Sequence, residues 1–192
     1  MTRVRLFSAL LLLVLLTPAA FAQPVLSEIR IDQPSTDNDE YFELAAAPGA
    51  SLDGFTYLVI GDGSGASGVI ESVTDLTGSV VDANGYFVAA EGTFTLGVAN
   101  LTTSLNFENS DNVTHLLVQG FNGSDGDDLD TDDDGVLDVE PWTSIADCVA
   151  LIESVGSGDL TYCANGVEDT HVETVRAGDR VAGNEGSVRA VG

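Results

Sequence analysis

Residues 25–32 read Val-Leu-Ser-Glu-Ile-Arg-Ile-Asp, and this stretch sets the pattern for most of the chain. Apolar and polar side chains largely alternate from Leu26 to Ile31, and the polar Glu28 and Arg30, two residues apart, share one face. A period of two residues is typical of a β-strand with one buried face. Residues 25–32 are therefore predicted to form a strand.

Comparable runs, rich in β-branched and aromatic residues, recur along the chain and are separated by Gly, Asn or Asp. The predicted strands are residues 25–32, 40–46, 55–60, 69–74, 78–81, 86–90, 102–107, 112–118 and 145–152. No segment keeps the helical period of about 3.6 residues. Short strands with turn signals about every 8–12 residues predict an all-β protein, built as an antiparallel β-sandwich.

Residues 63–68 read Gly-Ser-Gly-Ala-Ser-Gly and match the glycine pattern of dinucleotide-binding loops. That fingerprint requires a helix directly after the glycines. Residues 69–74 are instead strand-like, and a pyrophosphate would face a strongly negative surface. The sequence therefore predicts a hairpin loop here.

The N-terminal segment, residues 1–22, has the three parts of a secretory signal peptide. Arg3 and Arg5 supply positive charge, residues 6–16 are apolar, and residues 20–22 read Ala-Phe-Ala, as at a cleavage site. A membrane anchor is the alternative, but the apolar run is shorter than the roughly 20 residues that a spanning helix needs. We expect a mature chain without a membrane span, secreted to the extracellular space or the periplasm.

The chain has two cysteines, Cys148 and Cys163. In an oxidising compartment such a pair most simply forms one disulfide, with two free thiols or half of a metal site as alternatives. The predicted organisation is a signal peptide (1–22), a sandwich (23–153) and a polar tail (154–192) that the disulfide ties back. The tail contains one further candidate strand, near residues 171–175.

The net charge is −25, because 31 carboxylates stand against six Lys and Arg residues, all of them arginine. Direct binding to nucleic acid requires a basic surface, which this composition cannot supply. Adhesion to an anionic membrane is excluded for the same reason. The charge favours metal cations, cationic partners or high salt as the counterpart of this surface, and the partner itself is expected to be an unidentified protein or surface ligand.

Residues 125–140 read DGDDLDTDDDGVLDVE, and nine of these 16 residues are acidic. Three of the aspartates precede a glycine with the D-x-D-x-D-G spacing of calcium loops. In such loops the side chains at positions 1, 3 and 5 converge on one ion, position 7 offers its carbonyl, and position 9 binds directly or through water. The predicted calcium ligands are Asp130, Asp132, Asp134, Val136 and Asp138.

The loop departs from an EF-hand in two ways. Position 12 holds Pro141 instead of a bidentate Glu, and Glu140 and Asp147 are the candidate substitutes. A strand-like run, not a helix, precedes the loop. We expect an EF-hand-like loop on a β-scaffold, with a dissociation constant of about 10⁻⁴ M as in extracellular modules. The alternative is a solvated acidic loop.

Signals for catalysis are sparse, since the chain has no Gly-x-Ser-x-Gly motif, no His-Glu-x-x-His motif and no lysine. His115 lies in a predicted strand near Asp111 and Glu108, and with calcium such a group could hydrolyse a phosphodiester. A histidine within a strand is more often a hydrogen-bonded structural residue. We therefore expect no enzymatic activity.

Several short motifs, taken in order, resemble the lamin-tail domain of secreted bacterial proteins. They are VLSEIRID (25–32), NDEYFEL (38–44), SLDGFTYLVIGDG (51–63), ANGYFVAAE (83–91), LNFENSDNVTHLLVQG (105–120) and IADCVALIE (145–153). The family's motif positions are occupied by Glu28, Glu40, Glu43, Leu52, Gly54, Phe55, Gly85, Tyr86 and Phe87. The resemblance implies an immunoglobulin-like β-sandwich that serves as a non-catalytic module. The acidic loop stands where that family usually has a tight connection before its last strand.

Together these features predict a secreted, non-catalytic module for binding or tethering, with a calcium-stabilised loop. Two alternatives stay open. One is a calcium-dependent extracellular hydrolase, of the nuclease or phosphoesterase type, that uses His115. The other is a structural envelope or matrix protein whose acidity serves solubility alone.

Overall fold

The computed structural model describes residues 23–31, 38–62, 67–105, 107, 111–164, 166–168 and 175–176, the last two ranges by their backbone alone. These residues form ten strands and no helix. The strands are β1 (Val25–Arg30), β2 (Tyr41–Ala45), β3 (Phe55–Gly61), β4 (Val69–Asp75), β5 (Tyr86–Ala90), β6 (Leu101–Thr102), β7 (Val113–Gln119), β8 (Ser144–Ile152), β9 (Gly166–Glu168) and β10 (Val175–Arg176). The predicted all-β class is confirmed.

Two five-stranded sheets form the sandwich. The first has the order β10-β1-β2-β5-β6, and the second has the order β4-β3-β7-β8-β9. The pairs are antiparallel, except that β5–β6 and β8–β9 are parallel. Strands β3 and β4, on either side of the glycine-rich residues 63–68, pair antiparallel, and no helix follows those residues. Residues 63–66 of the predicted hairpin loop lie outside the described residues.

The core between the sheets follows from the alternation of side chains along each strand. Successive residues of a strand point to opposite faces, and on β3 Phe55, Tyr57 and Val59 belong to the core that both sheets share. The ring of Phe42, on β2, stacks on Tyr57 with the centroids 3.7 Å apart. This layer fixes which side chains of β3 and β7 point outwards.

The outer face of the second sheet is covered by the acidic loop. The outward residues of the sheet form a second apolar cluster, Leu58, Ile60, Ile70, Leu116 and Val118. Leu129, from the loop, is only 1% exposed and belongs to this cluster. Trp142 and Tyr162 pack against it as partly buried side chains. Leu129 therefore anchors the loop on the sheet, while most of the other residues of the loop are exposed.

Two strand predictions differ from the structure. Residues 78–81 were predicted as a strand, but Gly78 has a φ of 84° and Val80 makes just an isolated bridge to Ser51. An extended strand cannot continue through that positive φ, so the segment turns. Of residues 102–107, those described beyond Thr102 do not extend strand β6.

The segment predicted as a polar tail contributes strands to both sheets. Strand β9 pairs with β8, and β10 pairs with β1. Residues 169–174 lie outside the described residues, and β10 begins at the end of the candidate strand near 171–175. The predicted disulfide between Cys148 and Cys163 is confirmed.

Residues 1–22, which carry the predicted signal peptide, lie outside the described residues. In the part of the chain that the structure describes, no helix is long and apolar enough to cross a membrane.

Candidate metal centre

A backbone hydrogen bond joins the acidic loop, residues 125–140, to Gly68 just before β4, and a second one closes the loop on itself. The Leu129 N–H donates to the Gly68 carbonyl at 3.0 Å, and the Leu129 carbonyl accepts from the Asp138 N–H at 2.7 Å. Gly68 has a φ of +84°, and a Cβ there would lie 2.6 Å from the Cβ of Asp130. The buried Leu129 and the close approach of Gly68 therefore fix the position of the next residue, Asp130, on the inner side of the loop.

Asp130 is the central residue of the candidate site and has no exposed surface. Its Oδ2 accepts hydrogen bonds from the Gly135 N–H at 2.9 Å and the Tyr162 hydroxyl at 2.8 Å. Its Oδ1 accepts one from the Asp134 N–H at 3.2 Å. Burial raises the pKa of Asp130, but these hydrogen bonds outweigh it and hold the pKa below its ordinary value. Asp130 is therefore a buried carboxylate that is ionised at neutral pH.

Two further carboxylates converge on Asp130. One oxygen each from Asp130, Asp132 and Asp138 lie within 4.8 Å of one another. Asp138 is held in place because its Oδ2 accepts from the N–H of Thr131 at 3.0 Å and from its hydroxyl at 2.5 Å. The charges of the surrounding aspartates, Asp134 foremost, raise the pKa of Asp132. Three oxygens that repel one another form a donor set suited to a hard cation such as Ca²⁺.

The two remaining predicted ligands are Asp134 and Val136. Asp134 lies outside the group of three carboxylates, and its Oδ1 accepts a hydrogen bond from the Val136 N–H at 2.9 Å. The role of the Val136 carbonyl as a ligand stays a prediction. The sharp turn predicted at Gly135 is confirmed by its φ of 87°. The structure thus brings together the predicted ligands at loop positions 1, 3 and 9.

Neither candidate substitute for position 12 joins this group. Asp147 faces the first sheet, because its Oδ2 accepts from the Leu26 N–H of β1 at 2.8 Å. Glu140 is exposed at the end of the loop. Asp132 and Asp138 are also exposed. Water can therefore reach the site and supply the remaining ligands of Ca²⁺, which takes about six to eight oxygens.

A second group of carboxylates, which sequence reasoning missed, lies at one end of the second sheet. Asp62 follows β3, Asp111 precedes β7 and Asp159 follows β8, and one oxygen from each lies within 4.8 Å of the others. Burial, reinforced by the charge of Asp62, raises the pKa of Asp111 to about 7. In an antiparallel pair, the end of one strand lies beside the start of its neighbour. The predicted strand ends were therefore the signal that could have joined these distant residues.

The histidine considered as a general base is enclosed in the core. His115 has no exposed surface, its Nδ1 is hydrogen-bonded to the Tyr57 hydroxyl, and its ring lies edge-on to Phe107. Burial lowers the pKa of His115 to about 3, so the imidazole is neutral at physiological pH. Glu108 lies outside the described residues. A general base must come within hydrogen-bond reach of its substrate, and His115 is placed away from solvent.

No family model, curated protein or solved structure matches the chain. The resemblance to the lamin-tail family therefore stays a prediction, as do the signal peptide and the secreted location.

Proposed function

We propose that the protein is a secreted, non-catalytic binding or tethering module whose acidic loop binds one calcium ion. The observation that carries the proposal is the convergence of Asp130, Asp132 and Asp138 in a loop packed against the sandwich. Asp130 is buried with three hydrogen-bond donors as partners, and a cation would also neutralise the repulsion from the two exposed carboxylates beside it.

In this proposal each loop residue has a defined role. Asp130 is the pre-positioned anchor, and Asp132 and Asp138 bind from the exposed side. Asp134 and the carbonyl of Val136 add oxygens once the turn at Gly135 closes on the ion. The cation removes the repulsion between the carboxylates, and at 100 times its dissociation constant it would add about 2.7 kcal/mol to the free energy of unfolding.

The test is a calorimetric titration of calcium into the metal-free protein, with a parallel thermal melt and magnesium as the control ion. We expect saturable, calcium-selective binding that Asp132→Asn abolishes together with the calcium-dependent rise in melting temperature. Asp125→Asn is the matched control, because it removes the same charge from an exposed position of the same loop. Equal calcium binding by both variants would refute the site.

Asp62→Asn serves as a second control, because it removes a carboxylate from the other group of three. If this variant, and not Asp132→Asn, loses calcium binding, the ion belongs to the end of the second sheet. The calcium proposal for the acidic loop would then be wrong.

The non-catalytic part of the proposal is supported by the burial of His115 and by its neutral imidazole. Nuclease, phosphodiesterase and glycosidase assays with added calcium are expected to show no turnover. Activity that disappears in His115→Ala, while the variant stays folded, would establish the hydrolase alternative instead.

The nature of the binding partner follows from charge. A net charge of −25 favours a cationic protein or surface ligand. Such binding should weaken as salt is added, because screening reduces the attraction between exposed charges.

A further inference from the structure

The segment that follows β8 returns to the second sheet and is fastened close to the acidic loop. Cys163 forms the disulfide with Cys148, which lies in β8 itself. The Tyr162 N–H donates to the Thr114 hydroxyl of β7 at 2.9 Å. Leu160 lies beside Gly135 of the loop. The disulfide therefore fixes the backbone of the residues just before Cys163 over the outer face of the sheet.

The side chain of Tyr162 reaches from this segment to the buried aspartate. Its hydroxyl donates to Oδ2 of Asp130 at 2.8 Å, and the same oxygen accepts the Gly135 N–H at 2.9 Å. Two donors on one oxygen fix the orientation of the carboxylate.

The contact between Tyr162 and Asp130 is closely packed against Gly68. A Cβ at Gly68 would lie 2.8 Å from the Asp130 nitrogen and 3.1 Å from the Tyr162 hydroxyl. Gly68 therefore closes the space on the other side of Asp130. If Tyr162 withdraws, Asp130 loses one of the donors that compensate its burial.

We propose that Tyr162 is a positioning residue for the calcium site and that the Cys148–Cys163 disulfide holds it there, so that calcium affinity depends on the redox state of the protein. This inference rests on the calcium site proposed above and adds the regulation of that site.

The redox step is a thiol–disulfide exchange with an external dithiol. Two electrons and two protons pass from the dithiol to the sulfurs of Cys148 and Cys163, the S–S bond breaks, two cysteine thiols form, and the dithiol becomes a disulfide. After reduction, no disulfide bond links the segment that carries Tyr162 to β8. By thermodynamic linkage, bound calcium must oppose this reduction by the factor by which reduction lowers calcium affinity.

The size of the effect follows from the role of groups that hydrogen-bond to metal ligands. Removing such a group typically weakens metal binding by about 10- to 100-fold. Tyr162→Phe deletes the hydroxyl and keeps the ring and the disulfide, so we expect the calcium dissociation constant to rise about tenfold or more. Tyr86→Phe is the matched control, because Tyr86 is exposed on β5 in the other sheet.

A double-mutant cycle separates positioning from a general structural role. It compares wild type, Tyr162→Phe, the pair Cys148→Ser with Cys163→Ser, and the triple variant by calcium calorimetry. If the disulfide acts through Tyr162, removing the hydroxyl changes the dissociation constant strongly in the disulfide-bonded protein and little in the disulfide-free one. Additive effects, or an unchanged dissociation constant in Tyr162→Phe alone, would overturn the inference.

Hydrogen exchange of the Gly135 amide, measured without metal, keeps the two proposals apart. This amide donates to the same oxygen of Asp130, so exchange should be faster in Tyr162→Phe and after treatment with dithiothreitol than in wild type or Tyr86→Phe. If wild type binds no calcium, the proposed function fails, whatever the exchange rates are. If wild type binds calcium but exchange at Gly135 is the same in every form, the positioning role fails and the calcium site stands.

Discussion

Acidification is expected to destabilise this protein through its buried histidine. In the folded chain, burial lowers the pKa of His115 to about 3. In the unfolded chain, the pKa of a histidine is about 6.5. Between these two values the unfolded state holds a proton that the folded state lacks. The contribution of His115 to the free energy of unfolding is therefore fully present above the unfolded pKa and is lost as the pH falls towards the folded one.

The magnitude follows from proton linkage. One proton of difference corresponds to about 1.4 kcal/mol per pH unit, so a fall of about two units below pH 6.5 removes roughly 2.7 kcal/mol. For a chain of this size, the share of His115 alone corresponds to a fall in melting temperature of roughly 5–10 °C. Tyr57, beside the imidazole, has a pKa raised by burial and by the charge of Glu40, and it stays protonated throughout. Asp111 acts with the opposite sign, because burial raises its pKa to about 7, so the effect of His115 is measured as the difference from a variant without the imidazole.

The assay is guanidinium unfolding at about pH 6.5 and about pH 4.5, on wild type and on His115→Asn, with a chelator present. Asparagine keeps a polar group near the Tyr57 hydroxyl and does not titrate. The shared carboxylates cancel in the comparison between the two proteins, and wild type should lose more stability on acidification. Parallel pH profiles would refute the assignment of a neutral, buried His115.

Three further outcomes test the packing of the acidic loop. Leu129→Ala should lower the free energy of unfolding by about 2–5 kcal/mol in chemical denaturation, because Leu129 is buried in the outer cluster. Val136→Ala, at an exposed position, should change it by about 0.5 kcal/mol or less, and equal losses would contradict this packing. Gly68→Ala should weaken calcium binding in calorimetry, since its Cβ would lie 2.6 Å from the Cβ of Asp130; unchanged affinity would show that this contact does not matter. The fluorescence of Trp142, the one tryptophan, should shift on adding calcium with the midpoint found by calorimetry, because it packs on the same cluster.

Much of the sandwich is predictable because its signal is local. In strands such as β3 and β7 the apolar content is high, and their ends are marked by Gly, Asn or Asp. The β-branched Val80 and Val81 favour a strand at residues 78–81, and that prediction is wrong because Gly78 adopts a positive φ. The short strand β9 has little apolar content of its own, and it exists through backbone pairing with β8.

The same distinction applies to the candidate site. The spacing of Asp130, Asp132 and Asp138 is a local pattern, so the sequence identifies them. The burial of Leu129 against the outer face and the hydrogen bond from Tyr162 to Asp130 are tertiary contacts. Loop composition alone, with so many acidic residues, favours a solvated loop and cannot reveal either contact.

The two short strands β9 and β10 also bear on self-association. Each lies at the edge of a sheet, so that neither β1 nor β8 offers a bare row of backbone N–H and carbonyl groups along the stretch that these strands cover. Open strand edges are templates on which a second chain can pair, the first step towards aggregates and domain-swapped dimers. A chain shortened to residue 153 would keep the sandwich core yet present both edges at once. The segment after β8 therefore shortens the unpaired edge on one side of each sheet, whereas β4 and β6 are the edge strands on the other side.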